Sequence, residues 1–288
     1  MERMTGLSTN GKQVTPELFR AYAAAGIGAA ELSLAQEDYA AFPYREAARW
    51  AKEAGVRLWS FHLPFLPFVK LNAASLDAGV RAHTVEELGR YIRLAADLGI
   101  GRVVIHPSGE PNAPEHRAEQ IKAAQQTLAA LAEVASRAGT VLCVEDLPRT
   151  CLGNCAAEMA TLLQADGRLR VCFDTNHLLG EDPVDFVRAL GPMIETVHVS
   201  DYDFVDERHW LPGEGCIDWP ALLDALDAAG YAGPWLYEVA FAGDPATVDR
   251  ERDLCCADFA RNAAELAARA PLTHVGMGKR GLFPARYG

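Results

Sequence analysis

A single-domain α/β protein, a closed (β/α)8 barrel, is the architecture this sequence predicts. Short β-rich runs alternate with longer helical runs along the chain, with no linker-like break inside the first 270 residues. Strict βα alternation implies parallel strands with right-handed crossovers, so the sheet is either doubly wound or closed. Eight units in about 270 residues favour closure. No GxGxxG or Walker-type glycine run is present, which counts against a doubly wound nucleotide-binding sheet.

The elements follow in order. A weak strand over residues 4–8 precedes a helix over 15–25, with Thr15 as its cap, Glu17 in its first turn and Gly26 as its stop. The second strand spans 29–34, followed by a helix over 44–54 that stops at Gly55. The third strand, 56–62, leads to a helix over 80–98 ending at Gly99, and the fourth, 102–106, to a helix over 115–138 ending at Gly139. Strands over 141–145 and 169–174 pair with helices over 155–164 and 184–190. The seventh strand, 194–200, is followed by a helix over 219–229, with Asp218 as N-cap and Gly230 as stop. The eighth, 235–239, leads to a last helix over 246–268. Residues 1–270 form the barrel on this reading. The tail from 271 to 288 is basic and glycine-broken; it is disordered, packed on the surface, or strapped across a neighbouring subunit of a homo-oligomer.

Composition excludes some functions. Half the residues are hydrophobic and 23% are charged, an ordinary balance for a globular chain with a large core. The formal charge of −12 argues against a nucleic-acid surface, because phosphate binding leans on Lys and Arg. No run of about 20 apolar residues is present to span a membrane, and the opening MERMTGLSTN carries no secretory pattern. Seven cysteines, an odd number with no CxxC pair, suit a reducing cytoplasm. Cys143 and Cys172 lie in strand-like apolar runs and read as small hydrophobes, Cys151 and Cys155 as structural or incidental thiols.

The chemistry gathers at the carboxyl ends of the strands, where barrels of this kind build their sites. The third strand ends in His62, the fourth in His106, the fifth in Glu145 and the sixth in Asp174; the seventh carries His198 and the eighth Glu238. Glu31 on the second is a further candidate. Any one alone reads as a hydrogen-bonded residue at the edge of the core. Six ionisable groups converging on one rim do not, since buried charge is costly unless paired or metal-bound. The loops add His177, three residues past Asp174, and the run Glu207-Arg208-His209, in which Arg208 either meets anionic substrate groups or pairs with the nearby acids. Imidazole and carboxylate together are the donor set of a borderline divalent cation. The turn Pro212-Gly213-Glu214-Gly215 would let backbone approach a ligand closely. His83, His116 and His274 read as surface residues.

At these positions the chain resembles the xylose isomerase-like TIM-barrel superfamily. The resemblance is carried by SFHLPF at 60–65, VVIHPSG at 103–109, CVEDLP at 143–148, CFDTNH at 172–177, HVSD at 198–201, ERHWLPGEG at 207–215 and YEV at 237–239. It implies that Glu145, Asp174, His198 and Glu238 form a cage for one divalent metal ion (Mn2+, Mg2+, Co2+ or Zn2+). In the superfamily's ketose epimerases two such glutamates face opposite sides of the substrate carbon, and a histidine matching His177 orients the substrate. In its endonuclease IV branch the cage is shared with two more zinc ions: His62, His106 and bridging Glu145 match the ligands of one, His177, Glu207 and His209 those of the other. That branch has aspartate where this chain has Glu207.

The expected function is a metal-dependent sugar or sugar-phosphate isomerase or epimerase, with Glu145 and Glu238 moving protons through a metal-stabilised enediolate. Two alternatives share the site: a lyase or dehydratase on a keto-sugar or keto acid, and a zinc phosphodiesterase of the endonuclease IV kind. A binding module without chemistry leaves the paired carboxylates without a reason. The expected partner is a small carbohydrate.

Overall fold

The computed structural model describes residues 3–279 of the chain. In chain order the barrel elements are β1 (Thr5–Ser8), α1 (Pro16–Ala24), β2 (Ala29–Leu32), α2 (Tyr44–Ala54), β3 (Arg57–His62), α3 (Ala78–Asp97), β4 (Arg102–Ile105) and α4 (Arg117–Ala138). They continue with β5 (Val141–Glu145), α5 (Ala156–Leu163), β6 (Arg170–Asp174), α6 (Pro183–Leu190), β7 (Ile194–His198), α7 (Trp219–Ala228) and β8 (Trp235–Tyr237), then β9 (Val248–Arg250), α8 (Cys256–Ala267) and β10 (Gly276–Gly278). The parallel sheet runs β7-β6-β5-β4-β3-β2-β1-β8. It closes where Val199 N donates to Leu236 O at 2.8 Å and Glu238 N to Val199 O at 3.2 Å. The alternation therefore folds as the sequence predicts, into a (β/α)8 barrel.

Local chemistry sets the helix ends. Thr15 Oγ1 accepts from Leu18 N at 3.2 Å and Asp218 Oδ1 from Ala221 N at 3.1 Å, so both predicted caps form. Gly55 and Gly139 close α2 and α4 in the left-handed region, at φ 78° each, where a side chain would be strained. Apolar strand residues such as Leu7, Phe61, Val103, Val144, Phe173 and Val197 pack outward against the helices in one continuous core. Inside the barrel, Trp59 reaches across from β3 to β7, donating Nε1–H to Thr196 Oγ1 at 3.1 Å. The Arg102 guanidinium lies 3.6 Å from the centre of the Trp59 ring.

Two pairings are shifted by one residue, between Ala30 and Glu31 on β2 and between Val171 and Cys172 on β6. Such bulges re-aim the side chains that follow them. After the shifts Glu31 stands opposite Ser60, and Asp174 opposite His198.

The expected helix over 246–268 is a misreading of its first third. Residues Val248–Arg250 form β9, paired antiparallel with β10, and the helix starts only at Cys256. Asp258 sets that start: its Oδ2 accepts from Cys255 N at 2.9 Å, satisfying a donor at the helix entrance. The tail through Lys279 is thus tied to the barrel in part by β10; residues 280–288, on which the strap and disorder expectations also bear, lie outside the described residues. All seven cysteines are free thiols. Among the described residues no helix is long and apolar enough to cross a membrane.

Candidate metal centre

β5, β6 and β7 end on Glu145, Asp174 and His198, while Glu238 follows β8 by one residue. All four side chains are nearly or fully buried. His198 Nδ1 is the hub: it lies 2.9 Å from Glu145 Oε1, 2.9 Å from Glu238 Oε2 and 3.8 Å from Asp174 Oδ2. Ligands around a common ion at about 2.1 Å sit roughly 3–4 Å apart, so these four atoms have the spacing of a first coordination shell. Asp174 Oδ2 is buried without a hydrogen-bond partner, although its sister oxygen accepts from Asn176 N at 2.8 Å. An orphaned carboxylate oxygen facing imidazole nitrogens is what a cation would satisfy. Three carboxylates and one imidazole suit a hard or borderline divalent ion. The residues fit the group.

Glu145 belongs to a second set. Its other oxygen, Oε2, is 3.1 Å from His62 Nε2 and 3.2 Å from His106 Nε2. His62 closes β3, and His106 follows β4 by one residue. Phe65 fixes the His106 ring by stacking on it, centroid to centroid 4.2 Å. A third set comes from loops: His209 Nε2 lies 3.1 Å from Glu207 Oε1, and His177 Nε2 3.9 Å from the same oxygen. His177 Nδ1 is held by the Asp146 carbonyl at 2.7 Å and His209 Nδ1 by the Glu238 carbonyl at 3.0 Å, which leaves both Nε2 atoms facing inward. Each set keeps its ligand atoms within 4.8 Å of one another.

The electrostatics are those of densely packed, mutually charged groups. Burial pushes the Glu145 carboxyl up, but the His198 charge and hydrogen bonds from His106, His198 and His62 hold it well below its ordinary range. Glu238 is likewise held down, burial being outweighed by the charge and hydrogen bond of His198. Asp174 goes the other way: burial dominates and raises it despite the neighbouring imidazoles. Burial opposes protonation of His62 and His209, yet Glu145 lifts the first to about 9 and Glu207 the second to about 10. Burial pulls His106 down. Imidazolium protons here occupy positions for which a divalent ion would compete.

Beside the three sets lies a cavity of about 220 Å³, with Asn10, Gln36 and Phe65 on its walls and Glu145, His177 and Glu238 at its base. Asn10 Nδ2 donates to Glu238 Oε1 at 2.9 Å. A larger cavity of about 420 Å³, beside α7 and α8, has apolar Trp219, Leu266 and Leu272 on its wall and none of the three sets.

Several expected features take other places. Glu31 does not join the rim; it lies one layer lower, under the far side of the His198 ring. Arg208 Nε pairs with Asp203 Oδ2 at 2.9 Å, and its guanidinium lies 5.9 Å from the centre of the Trp210 ring. In the Pro212–Gly215 turn a side chain at Gly215 would collide with the Asp201 carboxylate and the Tyr202 carbonyl, and Gly213 and Gly215 line the larger cavity rather than the smaller one. His83, His116 and His274 are exposed, as expected. Arg149, which the sequence reading passed over, sits at φ 54° and bridges three loops, reaching Glu110 Oε1 at 3.0 Å, Asp206 Oδ1 at 2.9 Å and Glu207 Oε2 at 2.9 Å. Asn176, also passed over as a separate element, accepts from Arg208 N at 2.7 Å and His209 N at 3.2 Å, shaping the loop that carries Glu207.

Residues 19–258 match the xylose isomerase-like TIM barrel family. The chain belongs to that family. Among curated relatives it is 32% identical over 177 residues to the L-ribulose 3-epimerase of Mesorhizobium japonicum, covering 58% of this chain and 57% of that protein. It is 31% identical over 176 residues to an uncharacterized protein of Methanocaldococcus jannaschii, covering 58% of this chain and 60% of that one. The matches thus span less than two thirds of these relatives' length. The fold superposes on a D-tagatose 3-epimerase-like protein with a TM-score of 0.75 at 23% identity, covering 92% of this chain and 96% of the other. It superposes on an L-ribulose 3-epimerase with a TM-score of 0.71 at 24% identity, covering 93% and 94%. The motifs that carried the resemblance to this xylose isomerase-like family run from 60 to 239, wholly inside the matched span.

Proposed function

We propose that this protein is a divalent-metal-dependent isomerase or epimerase acting on a small carbohydrate. The observation that carries the reading is the convergence of two cavity-lining glutamates, Glu145 at the end of β5 and Glu238 just past β8, on one imidazole nitrogen, 2.9 Å from each. Similarity to proteins named as ketose 3-epimerases supports the substrate class. Glu145, Asp174, His198 and Glu238 would hold the ion. Bound there, it would polarise a carbonyl and offset negative charge as it develops on oxygen.

The chain's own residues move the proton. One glutamate, as carboxylate, takes the proton from the carbon beside the carbonyl; the C–H electrons shift into the C–C bond and the carbonyl oxygen takes up the charge. The other glutamate takes up a proton from solvent and delivers it to the opposite face as the carbonyl re-forms. The substrate is inverted at one carbon. Asn10 orients Glu238 through its 2.9 Å hydrogen bond. His177, held by the Asp146 carbonyl, would direct a substrate hydroxyl. Incubating metal-loaded protein with a panel of ketoses and ketose phosphates in heavy water tests this. The expected result is deuterium at one carbon of an epimer or isomer; elimination products would point to a lyase, and no exchange with any sugar would remove the reading.

A second reading rests on a separate observation. The His62–His106–Glu145 and His177–Glu207–His209 sets each bring three possible ligand atoms within 4.8 Å, and would hold the two further ions that a trinuclear zinc phosphodiesterase needs. The −12 charge disfavours a nucleic-acid substrate. Zinc content separates the two, since about three ions per chain would favour the phosphodiesterase and one the isomerase.

A further inference from the structure

The His198 ring is gripped from both sides. Its Nδ1 faces the three carboxylates of the cage, and its Nε2 lies 3.1 Å from Glu31 Oε2. Glu31 is fully buried, and nothing in the proton transfer described above uses it. It is itself held in place: Ser60 Oγ donates to Oε2 at 2.8 Å and Ser8 Oγ to Oε1 at 3.3 Å. Those hydroxyls come from the two strands flanking β2, where Ser8 and Ser60 are the register partners of Glu31. The register shift between Ala30 and Glu31 makes that row possible by setting Glu31 opposite Ser60. Burying a carboxylate under a ring is costly unless each oxygen is satisfied, and here the imidazole and the two hydroxyls satisfy both.

We propose that Glu31 is a positioning residue, which holds the proton of His198 on Nε2 and so presents Nδ1 as the ligand atom to the cage. A metal-binding imidazole whose other nitrogen donates to a carboxylate is fixed in tautomer and orientation and is a stronger donor. Glu31 thus acts through His198 and touches neither ion nor substrate. The proposal rests on reading the four-residue group as a metal cage, and not on the sugar chemistry.

Metal-stripped wild type, Glu31→Gln and Glu31→Leu are titrated calorimetrically with Mn2+, and their visible spectra are recorded with Co2+. Wild type is expected to bind. Glu31→Leu should lose about 10–100-fold in Mn2+ affinity and change its Co2+ band, as His198 is freed to rotate or to change tautomer. Glu31→Gln keeps an acceptor oxygen for the Nε2 proton and should fall between. A residue that merely props the barrel would lower the melting temperature of the metal-free protein while leaving Mn2+ affinity and the Co2+ band unchanged; that result overturns the proposal. Should Glu31→Leu fail to fold, Glu31→Gln decides, and a wild-type affinity in it also overturns the proposal. Wild type that takes up no ion overturns the cage reading and this inference with it, whereas binding without sugar turnover touches only the isomerase reading.

Discussion

Two groups of buried carboxylates share this barrel and differ in what surrounds them. Asp201, three residues past His198, accepts from Tyr202 N at 2.9 Å, Gly213 N at 2.8 Å, Ile217 N at 3.2 Å and Trp219 Nε1 at 2.9 Å. Glu214 accepts from Leu211 N at 2.9 Å and takes Arg250 through Nε at 2.9 Å and Nη2 at 2.7 Å. Asp258 has Cys255 N and both Arg252 and Arg261. Glu145, Asp174 and Glu238 instead face imidazoles and one another, and Asp174 keeps an oxygen with no donor at all. The first group answers every carboxylate oxygen with at least one fixed N–H and holds the surrounding chain. The second leaves an oxygen of Asp174 unanswered, and a cation would supply the missing partner. Burial alone does not separate structural from functional acids; the identity of the donors does.

Removing charge from the two groups should therefore have different consequences. The largest effect expected is on rate: Glu238→Gln lowers turnover of the carbohydrate substrate by roughly 10²–10⁴-fold or more without loss of fold, read by steady-state kinetics beside a melting curve. Near wild-type turnover would take Glu238 out of the chemistry. Next comes stability. In Asp201→Asn an amide replaces an oxygen that faces N–H donors, and unfolding free energy should fall by about 3 kcal/mol, measured by urea denaturation of metal-free protein.

A smaller loss, about 1–3 kcal/mol at neutral pH, is expected for Asp258→Asn. The hydrogen bond from Arg252 comes first among the causes that depress the Asp258 carboxyl, against burial. A depressed carboxyl contributes stability above its unfolded value of about 3.9, lost as pH falls through the folded value. The gap between wild type and Asp258→Asn should thus be full above pH 5 and shrink below about 4; a gap independent of pH contradicts the account. Smallest, and opposite in sign, is Asp174→Asn, which removes a charge that burial disfavours. Metal-free Asp174→Asn should melt a few degrees above wild type, about 1 kcal/mol, while losing the ion. A fall like that of Asp201→Asn would erase the distinction between the groups.

The same distinction marks how far the sequence could be read. The barrel and the rim were legible because apolar runs such as Val103-Val104-Ile105 and Val171-Cys172-Phe173 stop on His106 and Asp174, and strand ends in a parallel barrel share one face. Glu31 was not placed, since a one-residue register shift decides whether its side chain meets the rim or the layer beneath, and no local pattern records a bulge. What the Pro212–Gly215 turn packs against was not legible, because polar, glycine-rich loops look alike whether they approach a substrate or, as Gly215 does, a carboxylate of their own. Arg149 lies in a loop with no periodicity, and its three acid partners come from two other loops. β9 was hidden in a charged run because its partner, β10, lies more than twenty residues further along.

Titrating metal-stripped protein with Mn2+ by calorimetry, wild type beside Asp174→Asn and Asp258→Asn, tests the central claim most directly. The cage account predicts that wild type and Asp258→Asn bind alike, and that Asp174→Asn binds at least about a hundredfold more weakly. No binding by wild type, or equal binding by all three, would contradict it.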